Sequence, residues 1–305
     1  MDRIVDISTD GRHLSVARGF LVVQENSEEI GRIALDEITA VIVHAHGVTY
    51  SNNLFVKLAE RGVFVVICAA NHAPVSCVWP LSGHHAQGAR MRAQWNAPKP
   101  LQKRLWQIIV QSKIHMQSAV LAANGVDAGA LEMLARNVKS GDPDNQEAQA
   151  ARRYWPLLMG EEFRRDRNAE GANALLNYGY TVLRAILSRA IVASGLHPTI
   201  AMFHQNRQNA FALSDDLMEP FRPLVDQAVC RLVMTGHAVV TSEAKAALAR
   251  ITAFDLTVNG QTSPLSVAAN RLSHSLAISF ETGKAALALP DPPSPIELLE
   301  VGAPE

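Results

Sequence analysis

The chain has 305 residues, 48% hydrophobic and 19% charged, with a formal net charge of −1; this is the balance of a soluble globular protein with room for two domains, each with its own core. No apolar run approaches the roughly 20 residues that span a bilayer, and Met1-Asp2-Arg3-Ile4 lacks the basic-then-apolar order of a secretory signal, so no membrane association is expected. Cys68, Cys77 and Cys230 are odd in number, without metal-type spacing and set in apolar segments, which reads as reduced small hydrophobes in a cytoplasmic protein.

Short β-type runs separated by polar turns fill the first 80 or so residues. Ile4-Val5-Asp6-Ile7-Ser8 alternates apolar and polar residues, and His13-Leu14-Ser15-Val16 and Phe20-Leu21-Val22-Val23 flank a hairpin turn at Arg18-Gly19. Ile30–Ile33 and Ile38–Val43 follow. Ser51 is placed to cap a helix with Leu54, Phe55, Leu58 and Ala59 on its buried stripe and Gly62 as its stop. Phe64–Cys68 and Val75–Trp79 complete the set. Beyond Gln87 the period becomes helical: Gln87–Ala123, broken by Pro98 and Pro100, then Ala130–Val138, Asn145–Met159, Asn173–Ser194, Asp216–Met234, Ser242–Ile251 and Pro264–Phe280, with Phe254–Val258 extended. The expected fold class is α+β: a small N-terminal β-sandwich-like domain (residues 1–86, with its linker), a larger α-helical catalytic domain (87–284), and a Pro-rich acidic tail (285–305) expected to be disordered.

The net charge alone gives no reason to expect nucleic acid, but its distribution does. Between Glu60 and Asp127 there is no acidic residue, while Arg61, Arg90, Arg92, Lys99, Lys103, Arg104 and Lys113 lie there with His72, His84, His85 and His115. A one-signed stretch of this length suits a phosphate backbone, although a solvated helix face gives the same pattern.

Three places hold ionisable groups where chemistry is plausible. Asp144-Asn145-Gln146-Glu147 opens a helix, and a capping box with Asp144 at its start would explain Glu147. Phe203-His204-Gln205-Asn206-Arg207-Gln208-Asn209 follows the apolar Thr199–Met202, which places His204 as a ligand, a general base or an ordinary loop histidine. In Ser214-Asp215-Asp216-Leu217-Met218-Glu219-Pro220, Asp216 and Glu219 share a helix face and again suit a capping box, but Asp215 beside them needs a cation or a basic partner to offset it. Taken together, helix-opening carboxylates and one histidine form a ligand set for Mg²⁺ or Mn²⁺. Arg152, Arg153, Arg164, Arg165, Arg167 and Arg222 lie near them in sequence and are available either for phosphates or for surface salt bridges with Glu161, Glu162 and Asp166.

Gln146-Glu147-Ala148-Gln149-Ala150-Ala151-Arg152-Arg153-Tyr154-Trp155, Phe203-His204-Gln205-Asn206 and Asp216-Leu217-Met218-Glu219-Pro220-Phe221-Arg222-Pro223 resemble the CRISPR-associated adaptation integrase, the Cas-one family, and most closely its type II branch. The resemblance extends to about Gly283. It implies that Glu147, His204 and Glu219 are the catalytic residues and hold Mg²⁺ or Mn²⁺. Asp216 is more loosely matched, as a support for the ligands or a holder of a transient second ion. It further implies a homodimer formed through the β domains, with two such dimers clamping a Cas-two dimer into a heterohexamer that carries double-stranded DNA and inserts it at a CRISPR repeat. Arg90, Arg92, Lys103, Arg104, Arg152, Arg153 and Arg222 are the expected DNA contacts. Two other classes stay open: a hydrolytic nuclease for repair or recombination intermediates, and a scaffold in which Glu147 and Glu219 only cap helices.

Overall fold

The computed structural model describes residues 3–69, 74–204 and 208–302. His72 and the Gln205-Asn206-Arg207 part of the histidine run lie outside the described residues. The chain divides into two compact units, residues 1–83 and 84–305, so the division falls three residues before the expected end of the β domain.

The first unit holds strands β1 (Arg3–Ile7), β2 (Arg12–Ala17), β3 (Phe20–Glu25), β4 (Glu28–Ala34), β5 (Ile38–Val43) and β6 (Thr49–Tyr50), helix α1 (Asn52–Ala59), and strands β7 (Phe64–Cys68) and β8 (Pro74–Val78). They form two four-stranded sheets, ordered β1-β5-β7-β8 and β4-β3-β2-β6. β5 lies between β1 and β7 and runs parallel to both. All six of its residues are buried, which is why it reads as a continuous apolar run and not as an alternation. β2 and β3 form the expected hairpin, with Arg18 and Gly19 at positive φ in the turn. Val5 and Ile7, Leu14, Leu21, Val41 and Val43, Val65, and Leu54 and Leu58 of α1 share one apolar cluster, the sheet-and-helix core of a sandwich-like domain.

The second unit is mainly helical: α2 (Gln87–Trp95), α3 (Lys99–Ala123), α4 (Gly129–Asn137), α5 (Gln146–Met159), α6 (Ala172–Ala193), α7 (Ala212–Met218), α8 (Arg222–Met234), α9 (Ser242–Arg250), the hairpin β9 (Asp255–Val258) and β10 (Gln261–Pro264), α10 (Leu265–Thr282) and α11 (Pro295–Glu300). Pro98 separates α2 from α3 because the residue before a proline avoids the helical region, while Pro100 sits harmlessly in the first turn of α3, whose N–H groups have no partner inside the helix.

Two expectations are corrected. The helix expected to open at Asp216 instead opens at Ala212, and a short 3-10 turn over Glu219–Phe221 joins α7 to α8, so Asp216 and Glu219 lie within a helical run and cap nothing. The tail is also ordered across its described residues. Ser294 and Glu297 form a reciprocal capping box at the start of α11, which packs on α3 with Leu298 and Val301 buried. Gly302 lies so close to α8 that a Cβ there would stand 2.7 Å from Ala228 Cα. Acidic, proline-rich composition predicts disorder only when little apolar area can be buried; here two well-spaced aliphatic residues suffice.

Candidate metal centre

The site is assembled around α3. Lys113, midway along that helix, aims its ammonium between two carboxylates from distant parts of the sequence: Nζ donates to Glu147 Oε1 at 2.6 Å and pairs with Glu219 Oε2 at 2.5 Å. Burial alone would lower the Lys113 ammonium's pKa, but the two glutamates outweigh it and raise it, so the group stays charged.

Glu147 stands in the first turn of α5 without acting as its cap. Asp142, held at positive φ, caps the helix from four residues before it, its carboxylate accepting from Gln146 N at 2.8 Å and Glu147 N at 3.0 Å. Asp144, the cap expected from sequence, instead receives Lys139 at the surface. The Glu147 side chain is therefore free of the helix end and turns to Lys113, which removes the capping explanation for it.

Glu219 is buried. Arg222 Nε donates to its Oε1 at 2.8 Å; among the described residues no hydrogen-bond donor is aligned on its Oε2, which meets the Lys113 ammonium as an ion pair. Burial pushes this carboxyl up, yet Arg222 and Lys113 hold it far below the usual carboxylate range, at about 2. Arg222 in turn lies 4.6 Å over the Tyr180 ring, and the Tyr180 hydroxyl donates to Asp226 Oδ1 at 2.5 Å.

His204 is held by Asp216. One Asp216 oxygen accepts from Met202 N at 2.7 Å and Phe203 N at 3.0 Å; the other accepts from His204 N at 3.2 Å and faces His204 Nδ1 at 2.6 Å. A carboxylate already accepting three N–H groups is an acceptor for the ring too, so Nδ1 carries the proton and the neutral ring keeps its lone pair on Nε2. The bond to Asp216 raises the His204 pKa, burial opposes it, and Glu219 and Glu147 lie near enough to raise it further. Trp106 of α3 stacks on Phe203 at 4.2 Å and meets the His204 ring edge-on, fixing the loop to the same helix. Asp215, the third carboxylate of that segment, is offset by Arg184 Nε at 2.9 Å and Asn209 Nδ2 at 2.7 Å.

Glu147, His204, Glu219 and Asp216 are thus brought together. Lys113 belongs with them, although in sequence it reads only as one more residue of the basic window. Among the described residues no three His, Cys, Asp or Glu side chains stand as a finished coordination set. What is present is a pair of carboxylates converging on one positive charge, an oriented imidazole beside them, and a buried oxygen without an aligned donor. Hard oxygen donors with one imidazole fit Mg²⁺ or Mn²⁺.

The expected DNA contacts separate into two groups. Arg92, Lys103, Arg104, Arg152 and Arg153 are exposed. Lys99 and Lys103 line a cleft of about 360 Å³ with Phe203, next to His204 in sequence. Arg90 and Arg222 are corrected: Arg90 is buried, donating to Glu281 Oε1 at 3.0 Å and to the Ser194 carbonyl at 3.0 Å, and Arg222 is taken up by Glu219. Arg90 is buried and Arg222 partly buried, and each already spends its guanidinium on a carboxylate.

A small β unit followed by a helical unit that carries a carboxylate–imidazole cluster defines the class of this protein. Residues 5–244 match the family model described as CRISPR associated protein Cas1. The chain is 38% identical over 230 residues to the CRISPR-associated endonuclease Cas1 of Neisseria meningitidis serogroup C, covering 75% of each chain. Among solved structures it resembles a casposase bound to integration product (TM-score 0.79, 20% identity, 93% of this chain and 92% of that one) and a Cas6-RT-Cas1–Cas2 complex (TM-score 0.75, 18% identity, 95% of this chain and 36% of that one). The chain belongs to the Cas1 family.

Proposed function

We propose that this protein is a divalent-metal-dependent DNA endonuclease and integrase of CRISPR adaptation, of the type II branch, which inserts short foreign DNA into a CRISPR array. The observation that carries the reading is the convergence of Glu147 and Glu219 on one cationic position, with His204 oriented beside them by Asp216. Glu147, Glu219 and Nε2 of His204 would hold Mg²⁺ or Mn²⁺, which when bound supplies Lewis-acid polarisation of a phosphoryl oxygen. In the reaction, the 3'-hydroxyl oxygen of the captured strand bonds to a phosphorus at the repeat boundary as the bond to the host strand's 3'-oxygen breaks; water in place of the hydroxyl gives cleavage. Asp216 fixes the histidine tautomer, Arg222 orients Glu219, and the exposed Lys99, Lys103 and Arg104 track the DNA backbone with little sequence preference. Likeness to a casposase bound to integration product and to a Cas6-RT-Cas1–Cas2 complex supports double-stranded DNA and Cas2 as the partners we assign. A homodimer joined to a Cas2 dimer as a heterohexamer, acting in the cytoplasm, is the assembly we assign.

Transfer of a labelled short duplex into a supercoiled CRISPR plasmid, with Cas2 present, tests this reading. Joining is expected with Mn²⁺ or Mg²⁺, and should be lost in EDTA and in Glu147→Ala and His204→Ala. Cleavage without joining would favour the hydrolytic nuclease for repair intermediates, and wild-type joining by His204→Ala would refute the site.

A further inference from the structure

Lys113 is the one member of the cluster that the proposed chemistry leaves without a task. Its ammonium uses one oxygen of Glu147 and the Glu219 oxygen that has no other partner among the described residues, and its side chain is only 11% exposed. An ion bonded to these oxygens draws on the lone pairs the ammonium already engages and brings two positive charges against a third. Arg222 adds a fourth, since it neutralises Glu219 from the other side. Two glutamates cannot serve a divalent ion, a lysine and an arginine equally.

Resting on the metal-site reading above, we infer that Lys113 is a built-in competitor for the divalent ion. It holds Glu147 and Glu219 together as their counter-charge, it must withdraw its ammonium when the ion binds, and it thereby sets the metal affinity of the site. The flexible four-carbon stem of lysine permits that withdrawal, whereas a planar guanidinium committed to one carboxylate, as in Arg222, does not. Without the lysine, the buried Glu219 carboxylate and the partly buried Glu147 carboxylate are left facing one another, so the protein loses stability until a cation replaces it.

Calorimetric titration of Mn²⁺ into the full-length protein tests this, together with thermal melting in EDTA and in Mn²⁺. Wild type, Lys113→Met, Lys113→Gln and Glu147→Gln are compared, Lys113→Gln serving if Lys113→Met does not fold. The neutral Lys113 variants are expected to melt below wild type in EDTA and to gain more than wild type from Mn²⁺. They should bind Mn²⁺ roughly tenfold or more tightly, as removal of one positive charge beside a partly buried cation requires. Neutral variants that bind Mn²⁺ no more tightly than wild type, while Glu147→Gln loses binding, would overturn the role of Lys113 alone. Equal Mn²⁺ binding by wild type and Glu147→Gln would instead overturn the metal site itself, and this inference with it.

Discussion

At Asp226, burial and pairing oppose each other. Its carboxyl lies in the core beside Tyr180 and Arg222, and burial outweighs the Tyr180 hydrogen bond and the Arg222 charge, pushing it up to about 7. Because this lies above the ordinary aspartate value, the folded protein keeps a proton that the unfolded chain releases, and the stability so contributed is fully present below about pH 4 and lost as pH rises through about 7. Asp226→Asn removes that loss. In urea unfolding the variant is expected to gain on wild type between pH 5 and pH 8, by on the order of 2 kcal/mol; a difference constant with pH would contradict it. The same scale shows what the residues disclosed on their own. Glu147, His204 and Glu219 were legible because a motif carries them. Lys113 was not, because a lysine inside a basic helix gives no sign that its partners lie 34 and 106 residues further on. Arg90 misled for the matching reason, since Glu281, which absorbs it, is remote in sequence, whereas Arg222 has its partner Glu219 only three residues before it.

Among the elements, the packing of α6 on α8 supports the site from behind Glu219, since α8 begins with Arg222 and carries Asp226, while α6 supplies Tyr180. Gly179 lies at this crossing, where a Cβ would stand 2.4 Å from Val225 Cγ1. Gly179→Ala gains helix propensity yet forces two helices apart in a packed core, and a net loss of about 1–2 kcal/mol is expected in urea unfolding. A variant as stable as wild type would show that the crossing has slack. Periodicity and terminal signals such as Gly195 revealed most helices to within a residue or two. Periodicity failed at Asp216–Met234, where the α7 turn before Asp216 is itself almost wholly buried and so presents no alternation to read. It failed again at α11, whose six residues are too few for a period to show.

For the whole molecule, a net charge of −1 conceals an uneven distribution. The acid-free stretch does not become one continuous positive face: Arg90 and Lys113 are spent inside the helical unit, Arg61 pairs with Asp36 in the first unit, and Arg92, Lys99, Lys103 and Arg104 remain exposed. The α+β order was legible because the hydrophobic period changes once, near the boundary between the units; the mixed parallel sheet was not, because strand pairing over long separations leaves no local mark. Both the chemistry and the role of Lys113 depend on one ion at one place. The most direct measurement is therefore anomalous X-ray scattering from a crystal of the full-length protein grown with Mn²⁺. The expected result is a manganese peak bonded to Glu147, His204 and Glu219, with the Lys113 ammonium displaced from both glutamates. Manganese bound elsewhere, with Lys113 still bridging the two carboxylates in a protein competent to join DNA, would contradict it.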